Sequence, residues 1–409
     1  MANNLESPNE NVYDVVIVGG AIYGSSIAWF LSKNSDFDGS ILVIEKDPTY
    51  KFASTSLTNS CIRQQFSQKI NILISQFGAK FIKTFHKQME HDQNFPKLQI
   101  PKLQIKNFGY MYLANNENVA SQLLKSQQMQ SKYGVKTKHL KKEEIKTDYP
   151  FYNTTDIIAG NINLFDEGYF DSNTLFEKWK RSAKQLGTEF IENEVIDITL
   201  SRKKNKVESV TLKSGNEIFC HKLINASGPR AALVASLADI KVPVEPRKRY
   251  SFIFEAKNRI DQDIPLTIDP SGIHIRSDGD YYLAGCPPDD DIPVEYDDFY
   301  LDHSIWETKI WPIIANRIPQ FDSVRLINSW VGHYAFNTFD QNAILGPHST
   351  VDNFIFVNGF SGHGLQQSPA VGRGISELVT YNKYKTLDLS PLGFSRIEQK
   401  KPLLERAII

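Results

Sequence analysis

A strand–turn–helix–strand signal occupies residues 13–47, YDVVIVGGAIYGSSIAWFLSKNSDFDGSILVIEKD, and few folds accommodate it. Val15, Val16, Ile17 and Val18 form an unbroken apolar run, as a parallel strand buried on both faces carries. Gly19, Gly20 and Gly24 follow, and residues 22–31 have the spacing of a helix packed on a sheet. Residues 41–44 read as a second buried strand, which Glu45 closes. An acidic residue about twenty positions past a glycine turn is the layout of a dinucleotide site. The turn delivers a helix N-terminus to a pyrophosphate, and Glu45 accepts hydrogen bonds from ribose hydroxyls. Ala21 stands where the fingerprint has its second glycine. The motif alone does not separate FAD from NAD, and an ordinary buried βαβ unit is the plainer alternative.

The chain has 409 residues, enough for two domains with sizeable cores. It carries 46 Lys and Arg against 47 Asp and Glu, a formal net charge of -1, which argues against a general nucleic-acid binder. Cys61, Cys220 and Cys286 are far apart, in neither a disulfide nor a zinc pattern, and suit a reducing compartment. Residues 1–12 are polar and lack the features of a signal peptide or a presequence. The expected location is cytoplasmic, or the mitochondrial matrix if a presequence has been removed. No transmembrane segment is expected, because the most apolar window contains the glycine turn.

Residues 52–66, FASTSLTNSCIRQQF, are rich in hydroxyls that can bond cofactor phosphate or ring atoms, and Arg63 is the one strong cation among them. A helix is expected over 70–85. PKLQI occurs twice in tandem over 96–105, a local duplication too short for a repeat architecture. Residues 108–114 read as a strand, and 138–146 as a solvated helix or loop. A helix capped by Asp171 or Ser172 ends at Gly187. Residues 189–198 and 207–212 read as strands around a turn at 213–216, and a buried strand ends in the small-residue turn 226–229. From residue 242 alternating strands suggest a mainly antiparallel second domain. Residues 304–318 read as a helix, and the glycine-rich turn 359–364 precedes a last helix over 368–381, a second anion or carbonyl-oxygen site.

Taken in order, VVIVGGAIYG, EKD, ASTSLTNSCIRQQF, INASGP and NGFSGHGLQQSPAVGRGISELV span nearly the whole chain. The set resembles the FAD-dependent oxidoreductases of the D-amino-acid oxidase superfamily, on the sarcosine oxidase and dimethylglycine dehydrogenase side. EPRKRY, WVGHYAFNTFDQNAILGPH and GFSGHGLQQ are similar to the branch associated with respiratory complex I assembly. The resemblance implies an α/β fold: a discontinuous Rossmann-type FAD-binding domain over 11–90, 166–240 and 336–385. It implies a substrate domain over 91–165 and 241–335, with a C-terminal tail over 386–409. Carried over by motif, Gly19, Gly20, Ala21 and Gly24 hold the pyrophosphate, with Ala226 and Gly228 bordering it. Glu45 and Lys46 hold the adenosine side, and Val195 contacts adenine through its backbone. Ser54, Thr55 and the loop to Arg63 line the flavin. Gly359, Ser361, Gly362, His363, Gly364 and Leu365 approach the ring.

Two departures from the family pattern matter. Ser56 and Leu57 follow Thr55, and His333 stands at the place of a flavin-linking cysteine, so FAD is expected to be non-covalent. Leu283 and Gln366 replace an oxygen-promoting and a carboxylate-binding lysine, which favours a dehydrogenase over an oxidase. The implied reaction is hydride transfer from the carbon next to the nitrogen of an N-methyl or D-amino acid to flavin N5. An electron-acceptor protein or quinone would be the further partner. Arg63, Arg249 and Arg276 are the candidates for a carboxylate fork, and His333, Tyr250, Tyr334 and His363 for the rest of the pocket. The alternatives are a flavin-binding assembly or scaffold protein for a respiratory complex, and oxidation of a hydroxy acid or glycerol phosphate.

Overall fold

Val12–Val18 pairs in parallel with Ile41–Glu45 on one edge and Glu217–Asn225 on the other. Its alternate side chains feed two different cores: Val15 and Ile17 enter one, Val16 and Val18 the other. Burial on both faces is why this run has no polar alternation. The computed structural model describes residues 5–90 and 100–407. The first sheet runs Ile344–Pro347, Phe354–Asn358, Glu217–Asn225, Val12–Val18, Ile41–Glu45, Glu189–Glu192, with Ile344–Pro347 antiparallel at its edge. Helices Ile22–Ser32, Lys69–Lys83, Ser172–Gln185 and Gly364–Tyr381 cover one face, around Trp29 and Trp179. The antiparallel pair Val195–Leu200 and Val207–Leu212 extends the sheet.

The second sheet runs Val324–Asn337, Val244–Ala256, Tyr281–Cys286, His274–Asp278, Leu266–Ile268, Tyr110–Ala114, Ala159–Asn163, Lys138–Lys141. Among the described residues of this sheet, only Leu266–Ile268 and Tyr110–Ala114 pair in parallel. The two longest strands tie the layers together. Val244 and Ala335 belong to a core of the first sheet, whereas Phe252, Phe254 and Val331 pack in that of the second. The chain thus has a Rossmann-type domain and a second sheet domain, with the carboxyl ends of the parallel strands facing the space between them.

Several elements depart from expectation. Residues 138–148 form the edge strand Lys138–Lys141 and the helix Lys142–Asp148. The stretch 189–198 is two strands with different partners: Glu189–Glu192 pairs in parallel with Ile41–Glu45, and Val195–Leu200 antiparallel with Val207–Leu212. Residues 304–318 contain a π-helical turn, Trp306–Ile310, before Trp311–Arg317. The last helix starts at Gly364 and takes Pro369 inside it. The ring leaves the Leu365 carbonyl without its usual donor, and Ser368 Oγ supplies one at 2.7 Å. Asp171 caps its helix through Thr174 N at 2.9 Å. The first PKLQI copy lies outside the described residues, apart from Ile100. Among the described residues no helix is long and apolar enough to cross a membrane.

Candidate functional site

A cavity of about 590 Å³ runs from Glu45 to His363 between the two sheets. At its first end Gly19 has φ +99°, and a Cβ there would lie 2.6 Å from Ala226 O. That close approach brings the turns after two adjacent strands into contact. A Cβ on Gly24 would lie 2.0 Å from Gly19 O, so the helix can seat on the strand only with glycine there. Ala21 has φ −67° and ψ −155°, a conformation open to any residue, so its methyl costs no backbone strain. Glu45 accepts Gly20 N at 2.8 Å and Asp47 N at 2.9 Å. Burial raises its carboxyl above the usual range, against the pull of those two donors. Lys46 pairs with Glu194 at 3.0 Å, and Val195, Ile196, Ala226 and Gly228 line the same end.

Toward the other end, Thr55 Oγ1 accepts Ile22 N at 3.2 Å, at the start of the first helix. Ser54 Oγ donates to His333 O at 2.6 Å, joining the hydroxyl-rich loop to the second sheet. The turn 359–363 is held in unusual backbone states: Gly359 at φ +69°, Ser361 at +46° and Gly362 at +91°. For Ser361 the left-handed state costs about 1 kcal/mol. Its Oγ accepts Asn337 N at 2.9 Å, and its N–H donates to Ala335 O at 3.0 Å, which fixes it. A Cβ on Gly362 would lie 2.1 Å from the Tyr334 ring. Tyr23 stacks on Phe360 at 4.0 Å and donates to Gly364 O at 2.5 Å. The N-termini of the first and last helices are thereby locked together along the cavity wall.

The candidate arginines differ in their partners. Arg63 lines the cavity and is 3% exposed. Its guanidinium donates to Gln65 O at 2.7 Å and to Ala407 O, and lies 4.0 Å from the Phe66 ring. It has no ion pair among the described residues. Arg249 also lines the cavity, 4.5 Å from the Tyr334 ring, but is held by both oxygens of Asp291 at 2.8 and 3.0 Å. Arg276 is not among the lining residues; it pairs with Asp278 at 2.6 Å and donates to Asn59 O.

His333 stacks on Phe299 at 4.1 Å and is bonded through Nε2 to Asp298 O, with burial lowering its pKa. Burial, then the Arg63 charge, pushes His363 down to about 3. Neither ring nitrogen of His363 has a hydrogen bond of acceptable geometry among the described residues. Tyr250 and Tyr334 line the cavity with them. Gln366 Oε1 accepts the Arg63 backbone N–H at 2.7 Å.

Asn59 and Cys61, in the loop to Arg63, line the cavity as the sequence implies, but sequence reasoning missed Tyr110, Ser251 and His274, which also line it. Burial, then Arg276 and Arg249, lowers His274 to about 4. It also missed Glu167, a buried carboxyl raised to about 7 that accepts Gln64 N and Gln65 N beside Arg63. Tyr110, Ser251 and His274 come from strands whose register brings them together, and no spacing in the chain announces it.

Two helix N-termini on one elongated cavity, an acid at the ribose end, and arginines among buried tyrosines and histidines at the other are the layout of a dinucleotide-binding oxidoreductase. The family model for FAD dependent oxidoreductases, DAO, matches residues 14–378, and the chain belongs to that family. FAD is its cofactor, and the cradle of Gly19, Gly24 and Glu45 with the turn 359–364 fits such a group. The chain is 35% identical to FAD-dependent oxidoreductase domain-containing protein 1 of Xenopus laevis, over 97% of this chain and 85% of that one. It is 23% identical to 4-methylaminobutanoate oxidase (formaldehyde-forming) of Paenarthrobacter nicotinovorans, over 89% of this chain and 43% of that one. Its fold matches L-proline dehydrogenase from P. horikoshii with a TM-score of 0.80 and 24% identity, covering 95% of this chain and 98% of that one.

Proposed function

We propose that this chain oxidises the C–N bond of a small N-methyl or other amino acid, with Arg63 anchoring the substrate carboxylate. The observation that carries this is a buried, cavity-lining guanidinium with no carboxylate partner among the described residues, while Arg249 and Arg276 both have one. A buried unpaired cation is costly, and a ligand carboxylate removes that cost. FAD bound in the cavity supplies the acceptor for the hydride and is held without a covalent link.

The residues around it set the protonation of the amine. With a pKa near 3, His363 is neutral at pH 7; the residue lines the cavity, and its ring nitrogens are buried without a hydrogen bond of acceptable geometry among the described residues. Its neutral ring adds no second charge beside Arg63. The Arg63 charge disfavours an ammonium close by, so the amine binds neutral with its lone pair free. Tyr250 and Tyr334 bound the pocket and restrict its size. Leu283 is buried and apolar and lies outside the cavity lining, whose one lysine among the described residues is Lys46 at the ribose end; a flavin end without a lysine fits a dehydrogenase passing electrons to a carrier other than oxygen.

The test is the visible spectrum of the purified protein under anaerobic conditions, before and after N-methyl amino acids, D-amino acids and L-proline. Flavin bands bleached by one of these, with slow recovery in air, are the expected result. A flavin spectrum that no amine or amino acid bleaches contradicts the reading and leaves a purely structural flavin.

A further inference from the structure

We propose that the C-terminal segment 403–407 is a working part of the site, and that the Ala407 carbonyl positions Arg63 for a carboxylate ligand. This rests on the reading of Arg63 as the carboxylate anchor. Of the partners of the guanidinium, Gln65 and Phe66 are its chain neighbours and Ala407 is 344 residues away. The local contacts hold one nitrogen and one face of the head; the remote carbonyl holds the second terminal nitrogen and so completes the orientation of the fork.

The segment is clamped for this purpose. Glu405 is fully buried and accepts Ser67 N at 2.8 Å, Ser67 Oγ at 2.6 Å, Gln68 N at 3.2 Å, Asn71 Nδ2 at 2.8 Å and Ala407 N at 2.9 Å. Its carboxylate therefore stands at the N-terminus of Lys69–Lys83, where the helix dipole favours it, and where Gln68 provides no side-chain cap. Asp340 fixes the chain just upstream, accepting Leu403 N at 2.9 Å while Arg396 holds both its oxygens. Asn71 extends the network to Gln367, next to the residue that accepts the Arg63 backbone N–H. The segment thus joins the Arg63 head, and through Asn71 and Gln367 the first turn of the last helix, to one buried carboxylate.

A helix cap alone would explain Glu405, so the test must separate capping from positioning. The probe is benzoate, a carboxylate with no amine to oxidise, titrated into the FAD-loaded protein and read by the shift of the flavin bands. Glu405→Ala and a chain ending at Leu404 are each expected to weaken benzoate about tenfold, the loss of one hydrogen bond to a charged group, at unchanged FAD content. Glu405→Gln is expected to restore most of the affinity. In an Arg63→Ala background the Glu405→Ala effect disappears. A lower Tm with an unchanged benzoate Kd overturns the proposal, and so does equal weakening with and without Arg63. If Arg63→Ala alone leaves benzoate binding intact, the anchor reading has failed first, and that single variant tells the two failures apart.

Discussion

Arg63, Arg249 and Arg276 are alike in burial and differ in what holds them. Replacing Arg63 by Ala is expected to raise KM for an amino-acid substrate about 100-fold while kcat changes far less, because a carboxylate anchor acts mainly on binding. Arg249→Ala is expected instead to lower stability by about 2 kcal/mol, since it removes the bidentate partner of Asp291 and leaves it only Arg247 at 3.6 Å among the described residues; urea unfolding of the two variants separates the cases. Buried histidines give a second prediction. His363 and His274 titrate near 3 and 4 in the folded chain and near 6.5 when unfolded. Between those values the unfolded state binds more protons, so stability is full above about 6.5 and falls as the pH drops. Each histidine costs about 1.4 kcal/mol per pH unit in that window. The double variant His274→Asn, His363→Asn should show a shallower loss in urea unfolding between pH 7 and pH 5, and an unchanged slope would refute the assignment. None of this was legible in the sequence, where the three arginines carry equal weight and partners such as Asp291 and Ala407 lie far along the chain or across the fold.

The turns decide whether the cradle forms. Gly24→Ala would place a methyl 2.0 Å from Gly19 O, so it is expected to push the first helix off the strand and to abolish FAD retention on purification. Ala21→Gly removes a methyl from an ordinary backbone conformation and is expected to change stability by no more than about 1 kcal/mol. FAD content and Tm of both variants check the contrast. The first βαβ unit was readable because glycine spacing, apolar runs and Glu45 are local signals. The edge strand Lys138–Lys141 was not, since only Leu140 of its four residues is buried and its identity comes from pairing with Ala159–Asn163. The start of the last helix was hidden by Pro369, which in a sequence reads as a first helical residue. Ser368 Oγ makes the earlier start possible, and that substitution of one donor for another has no pattern of its own.

At the scale of the whole molecule, the site exists because two long strands and a returning C-terminal segment bring separate parts of the chain to one cavity. Val244–Ala256 and Val324–Asn337 carry Arg249, Tyr250, His333 and Tyr334 from one core toward the other. Segment 289–298 is drawn in by Asp291 on Arg249, Asp298 on Lys248 and Asp297 on Arg230. The two-layer architecture follows from patterns that any segment shows alone; the closure of the cavity depends on ion pairs and hydrogen bonds made only after folding. The central claim is that this cavity selects an amine carrying a carboxylate. The most direct measurement is the anaerobic bleaching rate of the flavin with an N-methyl amino acid, set against the same amine without its carboxyl group. A rate at least about 100-fold faster for the amino acid at equal low concentration is predicted from the loss of one buried charge pair. Equal rates for the two, or none for either, would contradict the account.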